Sequence, residues 1–329
     1  MTSPADEDAV VAAGPPSRKR RLVGSVVGLL LLAAAVVAVL SNRGSLAAAI
    51  DAIGRAPVWL VGLALLLPIC NWVLISISFW VLTRRYGAVG LGEMHALIAS
   101  AWLLNYLPLR PGMFGRLAYH KRVNGIAVRD SIRVLVTSVS LSVVSSAGIC
   151  LVAWAGYRAA PLAGWFIVAS PGLVAGVAGL LLAQREGSAF AAGPGLAIAL
   201  CVRYFDILAW VARYAVVFAL IGHPLSLAQA TLITAVSQAA LLIPFVGNGL
   251  GVREWGIGLA LPVLSSDAPR ALGLTADLLN RAAELLVALP VGLAGSAWLY
   301  GRTKHVVRRS GAPLQSSDDP ADAQSRTGS

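Results

Sequence analysis

Residues 57–82 read PVWLVGLALLLPICNWVLISISFWVL, and no Asp, Glu, Lys or Arg interrupts the 26 positions. A helix rises about 1.5 Å per residue, so this run is long enough to cross the roughly 30 Å hydrocarbon layer of a bilayer. The rest of the chain has the same character. Apolar residues make up 57% of the 329 and charged residues only 12%, with a mean hydropathy of +0.76. An ordinary soluble domain carries about 25% charged residues. This chain lacks the side chains to cover itself in water, so it reads as a polytopic membrane protein.

Outward from that run, similar stretches recur at about 22–40, 132–154, 161–182, 194–220 and 270–300, giving six crossings. Within hydrocarbon only helices among these choices satisfy their own backbone groups, so the expected fold is all-α. Residues 1–21 read as a disordered cytoplasmic tail, 22–300 as the membrane domain, and 301–329 as a basic and then disordered cytoplasmic tail. Arg18, Lys19, Arg20 and Arg21 precede the first run as in a signal peptide, but the run extends from Leu22 to Leu40, far enough to span, and reads as a retained first helix.

Two further apolar runs differ. Residues 95–107 end at Pro108; residues 227–243 end at Pro244 and resume after a Gly-rich break at about 252–264. The first is short for a full crossing, and both end in helix breakers. They read as re-entrant segments, which a bilayer tolerates only inside protein or beside a wet cavity.

With the N-terminus inside and only the six long runs crossing, cytoplasmic segments hold 18 of the 26 basic residues and external segments four: Arg43, Arg55, Arg158 and Arg270. This follows the positive-inside rule and places both termini in the cytoplasm, in an inner (plasma) membrane. The net charge of +11 then reflects loops facing anionic lipid rather than nucleic acid.

The layout also repeats. The second and fifth crossings start at 57 and 194, the two breaks fall at 108 and 244, and the third and last crossings start at 132 and 270. The interval within each pair is nearly the same. The halves are about 22–154 and 161–300. Each has three crossings, so the second enters from the opposite side. This is the inverted repeat of many transporters, whose sites lie near discontinuous helices at the repeat interface.

The first break contains Asn105, Arg110, Gly112 and Arg116; the second contains Gly249, Gly251, Arg253 and Glu254. Glycines let backbone turn and approach a ligand, freed N–H groups favour anions, and Arg can grip a phosphate with two parallel hydrogen bonds. Two readings of these arginines stand side by side: a headgroup site, or surface residues snorkelling to lipid, with Arg253–Glu254 a satisfied pair. Charge also falls at membrane depth. Arg203, Asp206 and Arg213 share one face of the fifth crossing; Asp277, Asn280, Arg281 and Glu284 share one face of the last. Each isolated ion there costs about 2.5–3.5 kcal/mol on insertion scales, so they must face one another or water. Structural ion pairs and a polar path both satisfy that demand.

His95, His120, His223 and His305 are scattered, and Cys70, Cys150 and Cys201 stand alone in apolar runs. No Ser/His/Asp grouping, phosphate loop, HExxH or dinucleotide fingerprint occurs, so no metal, cofactor or enzymatic activity is expected. Trp59, Trp72, Trp80, Trp154 and Trp165 suit anchors or packing.

Asn105 to Arg116 (N-x-x-P-x-R-x-G-x-x-x-R), Pro244 to Glu254 (ending Gly-x-Arg-Glu) and Asn280-Arg281 carry a resemblance. Here the chain resembles the lysylphosphatidylglycerol synthase transmembrane-region family, the flippase-like membrane part of the multiple peptide resistance factor. The resemblance covers about residues 22–300, without the soluble synthase domain. The family's Gly-Glu before the position of Arg116 is Phe114-Gly115 here, so no role for that carboxylate carries over. The resemblance implies translocation of a lipid or lipid-linked group, with anionic or zwitterionic headgroups as partners, and not lysyl transfer. Two alternatives are a non-transporting partner of an envelope lipid or glycan enzyme, and a lipid-modifying membrane enzyme using Asp277 and Glu284.

The orientation is testable. With the three native cysteines replaced, a cysteine at Ser188 should react with an impermeant thiol reagent only from the cytoplasmic side, and one at Ser266 only from outside. The reverse pattern would invert the topology.

Overall fold

The computed structural model describes residues 30, 33, 37, 40, 43–107, 110–155, 161–243 and 247–310. Among them the chain is all helix, in ten α-helices. In order these are α1 (Arg43–Arg55), α2 (Val58–Arg84), α3 (Leu91–Leu104), α4 (Pro111–Val123), α5 (Val128–Ala155), α6 (Pro161–Glu186), α7 (Ala192–Leu220), α8 (Leu227–Leu241), α9 (Val252–Leu264) and α10 (Arg270–Ser310).

Five of them, α2, α5, α6, α7 and α10, are long and apolar enough to cross a membrane. Large apolar side chains such as Trp154, Phe166, Leu180 and Leu293 point outward from these helices, and such a surface belongs in lipid. The protein is a polytopic helical membrane protein. The sixth expected crossing, 22–40, lies outside the described residues apart from 30, 33, 37 and 40, as do Pro108 and Pro244. Two expectations need correction. The last helix does not stop at 300 but continues to Ser310, and the basic stretch after the first break is not loop but contains α4. Pro111 starts α4 at a position where a missing N–H costs nothing.

Both short pairs are hairpins that enter and return. At the mouth of the first, Tyr119 Oη and Asn124 Nδ2, from the end of α4, each donate at 3.0 Å to Glu93 Oε1 at the start of α3. At the mouth of the second, Gln229 Nε2 at the start of α8 donates to the Leu264 carbonyl at the end of α9, at 2.9 Å. Glu93 and Gln229 also accept from their own helix's N-cap N–H, at Gly90 and Ser226. The same device thus recurs at equivalent places in the two halves.

The halves are inverted with respect to each other. The C-terminal part of α2 meets the start of α7, where the Trp80 and Phe190 rings lie 5.1 Å apart. Midway, Asn71 of α2 bonds Asp206 of α7, so the two helices run antiparallel. The halves also exchange partners: α3 packs on α10, and α8 packs on α5.

The first hairpin closes tightly. A Cβ on Gly112 would lie 2.3 Å from the Ala101 carbonyl oxygen, so α3 and α4 touch backbone to backbone there. Gly112→Ala should therefore destabilise the protein by about 1–3 kcal/mol. Gly115→Ala, with nothing within 4 Å of the added carbon, should be neutral or slightly stabilising. Thermal unfolding of both variants in detergent tests this; equal behaviour would contradict the contact.

Candidate functional site

The tips of the two hairpins meet. Arg110 precedes α4 in the left-handed region (φ 47°), and Asn248 takes the same conformation in the second break (φ 46°). Gly249 (φ 66°) and Gly251 (φ 77°) turn the chain around Asn248, which side chains with a Cβ resist. Arg110 Nη2 donates to the carbonyls of Leu241 (3.3 Å) and Ile243 (3.0 Å) at the end of α8. A cation from one half thereby caps the carbonyl end of a half-helix from the other, where the backbone dipole favours positive charge. Asn105 Oδ1 accepts from the Met113 N–H (3.2 Å) and holds the first tip closed.

All eight depth charges are buried. The two candidate sets on α7 and α10 converge with Arg253 and Glu254 of α9 into one network. Arg203 Nη1 bonds Asp206 Oδ2 at 3.0 Å. Arg213 binds Glu284 and donates twice to Asn280 Oδ1, at 2.8 and 3.2 Å. Arg253 bridges Asp277 (2.9 Å) and Glu284 (3.3 Å). Arg281 lies against Glu254, Nε to Oε1 2.6 Å, but without hydrogen-bonding geometry on either group. Four arginines thus meet four carboxylates. Arg253 and Glu254 are not a pair with each other; each finds its partner on α10. Nor does Arg281 bridge its own helix's Asp277 and Glu284, which face Arg253 instead.

Beside this network lies a cavity of about 280 Å³. Arg110, Arg116, Arg203, Arg213 and Arg253 line it, with Asp206 and Glu284, the amides of Asn71, Asn105, Gln238 and Asn248, and apolar groups including Trp72, Phe79, Trp102 and Trp210. Of the other candidates, Gly112, Gly249, Gly251, Glu254, Asp277, Asn280 and Arg281 stand behind the wall rather than in it.

Arg116 differs from every other buried arginine. It is 8% exposed, its guanidinium lies 3.9 Å from the centre of the Phe79 ring, and no carboxylate or hydrogen-bond acceptor among the described residues meets it. It also faces a second small cavity with Thr83, His120 and Ser131. Burial holds the His120 imidazole below its usual pKa, although its ring bonds Asn124 at 3.0 Å.

Several site residues were not anticipated. Asn71 donates to both the carbonyl and the carboxylate of Asp206, at 2.8 Å each, and accepts from Arg213 at 3.2 Å. Tyr106 donates to Glu284 (2.7 Å); Tyr214 Oη donates to Asp277 and accepts from the Ser237 hydroxyl, each at 2.8 Å. Ser142 takes Arg203 Nε at 2.6 Å. Asn71 had a readable signal, being the sole amide in the 57–82 run. Fold and site together define a membrane-embedded helical protein with a charged cavity between two re-entrant hairpins. No protein-family model, curated protein or solved structure matches the chain.

Breaking one buried pair should cost far more than removing it whole. Glu254→Leu and Arg281→Met should each destabilise by roughly 3–5 kcal/mol, and the double variant by much less than their sum. Additive losses in a thermal or denaturant series would show that the two groups do not interact.

Proposed function

We propose that this protein moves a lipid, or a lipid-linked group, between the leaflets of the cell's inner (plasma) membrane, with both termini cytoplasmic. The observation that carries this reading is Arg116: a guanidinium buried beside a cavity, stacked on Phe79 and left without an acid partner. A cation left uncompensated at that depth is costly, and an anionic headgroup supplies the missing charge.

Three further features support the reading. The cavity lies where two discontinuous hairpins of an inverted repeat meet, as in transporters that work by alternating access. Its wall mixes arginines and amides with indole and aliphatic groups, as a headgroup with adjoining chains requires. The motif resemblance to the flippase-like lysylphosphatidylglycerol synthase region points the same way. Arg116 and Arg203 contact the headgroup; Arg110 ties the two hairpin tips together, and the paired charges around Asp277 and Glu284 brace the wall rather than perform chemistry.

Leaflet exchange in proteoliposomes tests the proposal. Purified protein should accelerate exchange of at least one class of fluorescent lipid over empty vesicles. Arg116→Ala should slow it by about tenfold or more, the loss of one charge-assisted contact. Exchange equal to empty vesicles for every lipid, in folded protein, would refute translocation.

A further inference from the structure

The cavity discriminates between headgroups, and this inference rests on the translocation reading above. Both carboxylates in its wall are fully engaged. Asp206 accepts from Asn71 on Oδ1 and from Arg203 on Oδ2. Glu284 accepts from Arg213 and Arg253 on Oε1 and from Tyr106 on Oε2. An ammonium group entering the cavity therefore finds no free acid, and it meets five arginines. Desolvating a cation against like charge is strongly unfavourable.

Donors, by contrast, remain open on one side. Arg116 has no hydrogen bond or ion pair among the described residues, and the Phe79 ring covers one face of its guanidinium while leaving the N–H edge available. Arg203 lines the same cavity as Arg116. It spends Nε on Ser142 and Nη1 on Asp206, while Nη2 stays unbonded among the described residues. The Ser138 hydroxyl is buried, unpartnered and in the same wall. Two guanidiniums and a hydroxyl from α4, α5 and α7 together suit a tetrahedral oxyanion. The four-and-four network is neutral and the carbonyl end of α8 partly offsets Arg110, so among the described residues Arg116 is the cavity cation with neither an acid nor a carbonyl against it. The same wall carries neutral hydrogen-bonding groups: Asn105, Asn248 and Gln238, whose Nε2 has no partner among the described residues.

We infer that the ligand is a lipid with a monoanionic phosphodiester, seated on Arg116, Arg203 and Ser138, and an uncharged hydroxyl-rich end, polyol or sugar, facing the amides; amine-bearing headgroups are selected against.

The test uses the full chain in proteoliposomes with lipids labelled on the acyl chain, so that headgroups stay native. The set is phosphatidylglycerol, phosphatidylethanolamine, lysyl-phosphatidylglycerol and a phosphate-free glucosyl diacylglycerol. Phosphatidylglycerol should exchange at least tenfold faster than the other three. Short-chain phosphatidylglycerol should also raise the unfolding temperature of the detergent-solubilised protein, while water-soluble glycerophosphate should not. Arg116→Ala should abolish both effects. Arg116→Lys, which keeps the cation without the fork, and Ser138→Ala should weaken both several-fold; these two milder variants keep the test valid if Arg116→Ala does not fold.

Equal or faster exchange of an amine-bearing or phosphate-free lipid would overturn the inference and leave translocation standing. Stabilisation without exchange of any lipid would keep the ligand class and remove translocation. Equal stabilisation by glycerophosphate would make the site one for a soluble anion, and no effect of any lipid in either assay would remove both readings.

Discussion

A helix that stops inside an apolar layer leaves carbonyl groups that neither lipid nor its own turns can satisfy. In this protein α8 ends in that way, and the carbonyls of Leu241 and Ile243 are met by Arg110 from the opposite half of the chain. The constraint ties the two hairpin tips together. Because the tips must meet, the polar residues they carry meet as well. The cavity, the arginines around it and the tight approach of α4 to α3 at Gly112 all follow from that junction.

The charges at depth then divide into two kinds. Arg203, Arg213, Arg253 and Arg281 are matched to Asp206, Glu284, Asp277 and Glu254; Asn71, Asn280, Tyr106 and Tyr214 add hydrogen bonds to the first three pairs, while Glu254 and Arg281 lie together without any. A matched set of this kind gives little net stability, since desolvation offsets attraction, but losing one member leaves an uncompensated ion. It therefore fixes how α7, α9 and α10 register. Arg116 belongs to the other kind. Its contact with Phe79 orients it without neutralising it, and no acid among the described residues meets it.

Much of this was legible from residues alone. The long apolar runs carry a strong physical signal, and five of them are helices long enough to cross a membrane. The segments at 227–243 and 252–264 fell within two residues of the observed helices. Partner choice was less legible. Neighbours such as Arg253 and Glu254 project about 100° apart on a helix and cannot face each other, so each pairs across the bundle. Arg281 stands between two acids of its own helix, yet its partner is Glu254 of α9. Helix α4 escaped notice because its polar, basic composition lacks the signature of a crossing; Pro111 at its first position was the available clue. Ser226 with Gln229 likewise announced the start of α8 as a capping box.

The mouths of the two hairpins share one geometry but not one chemistry. Glu93 closes the first as a buried carboxylate, gathering Tyr119, Asn124 and the half-exposed Arg302 from the far end of α10. Gln229 closes the second as a neutral amide bonded to a backbone carbonyl. Ionic strength acts on an ion pair with one exposed partner and leaves an amide–carbonyl bond almost untouched. A backbone that nearly repeats itself upside down is thus built with one electrically sensitive door and one insensitive door. In such a scaffold the two mouths are told apart by an oxygen standing where the other repeat has a nitrogen, rather than by a difference in fold.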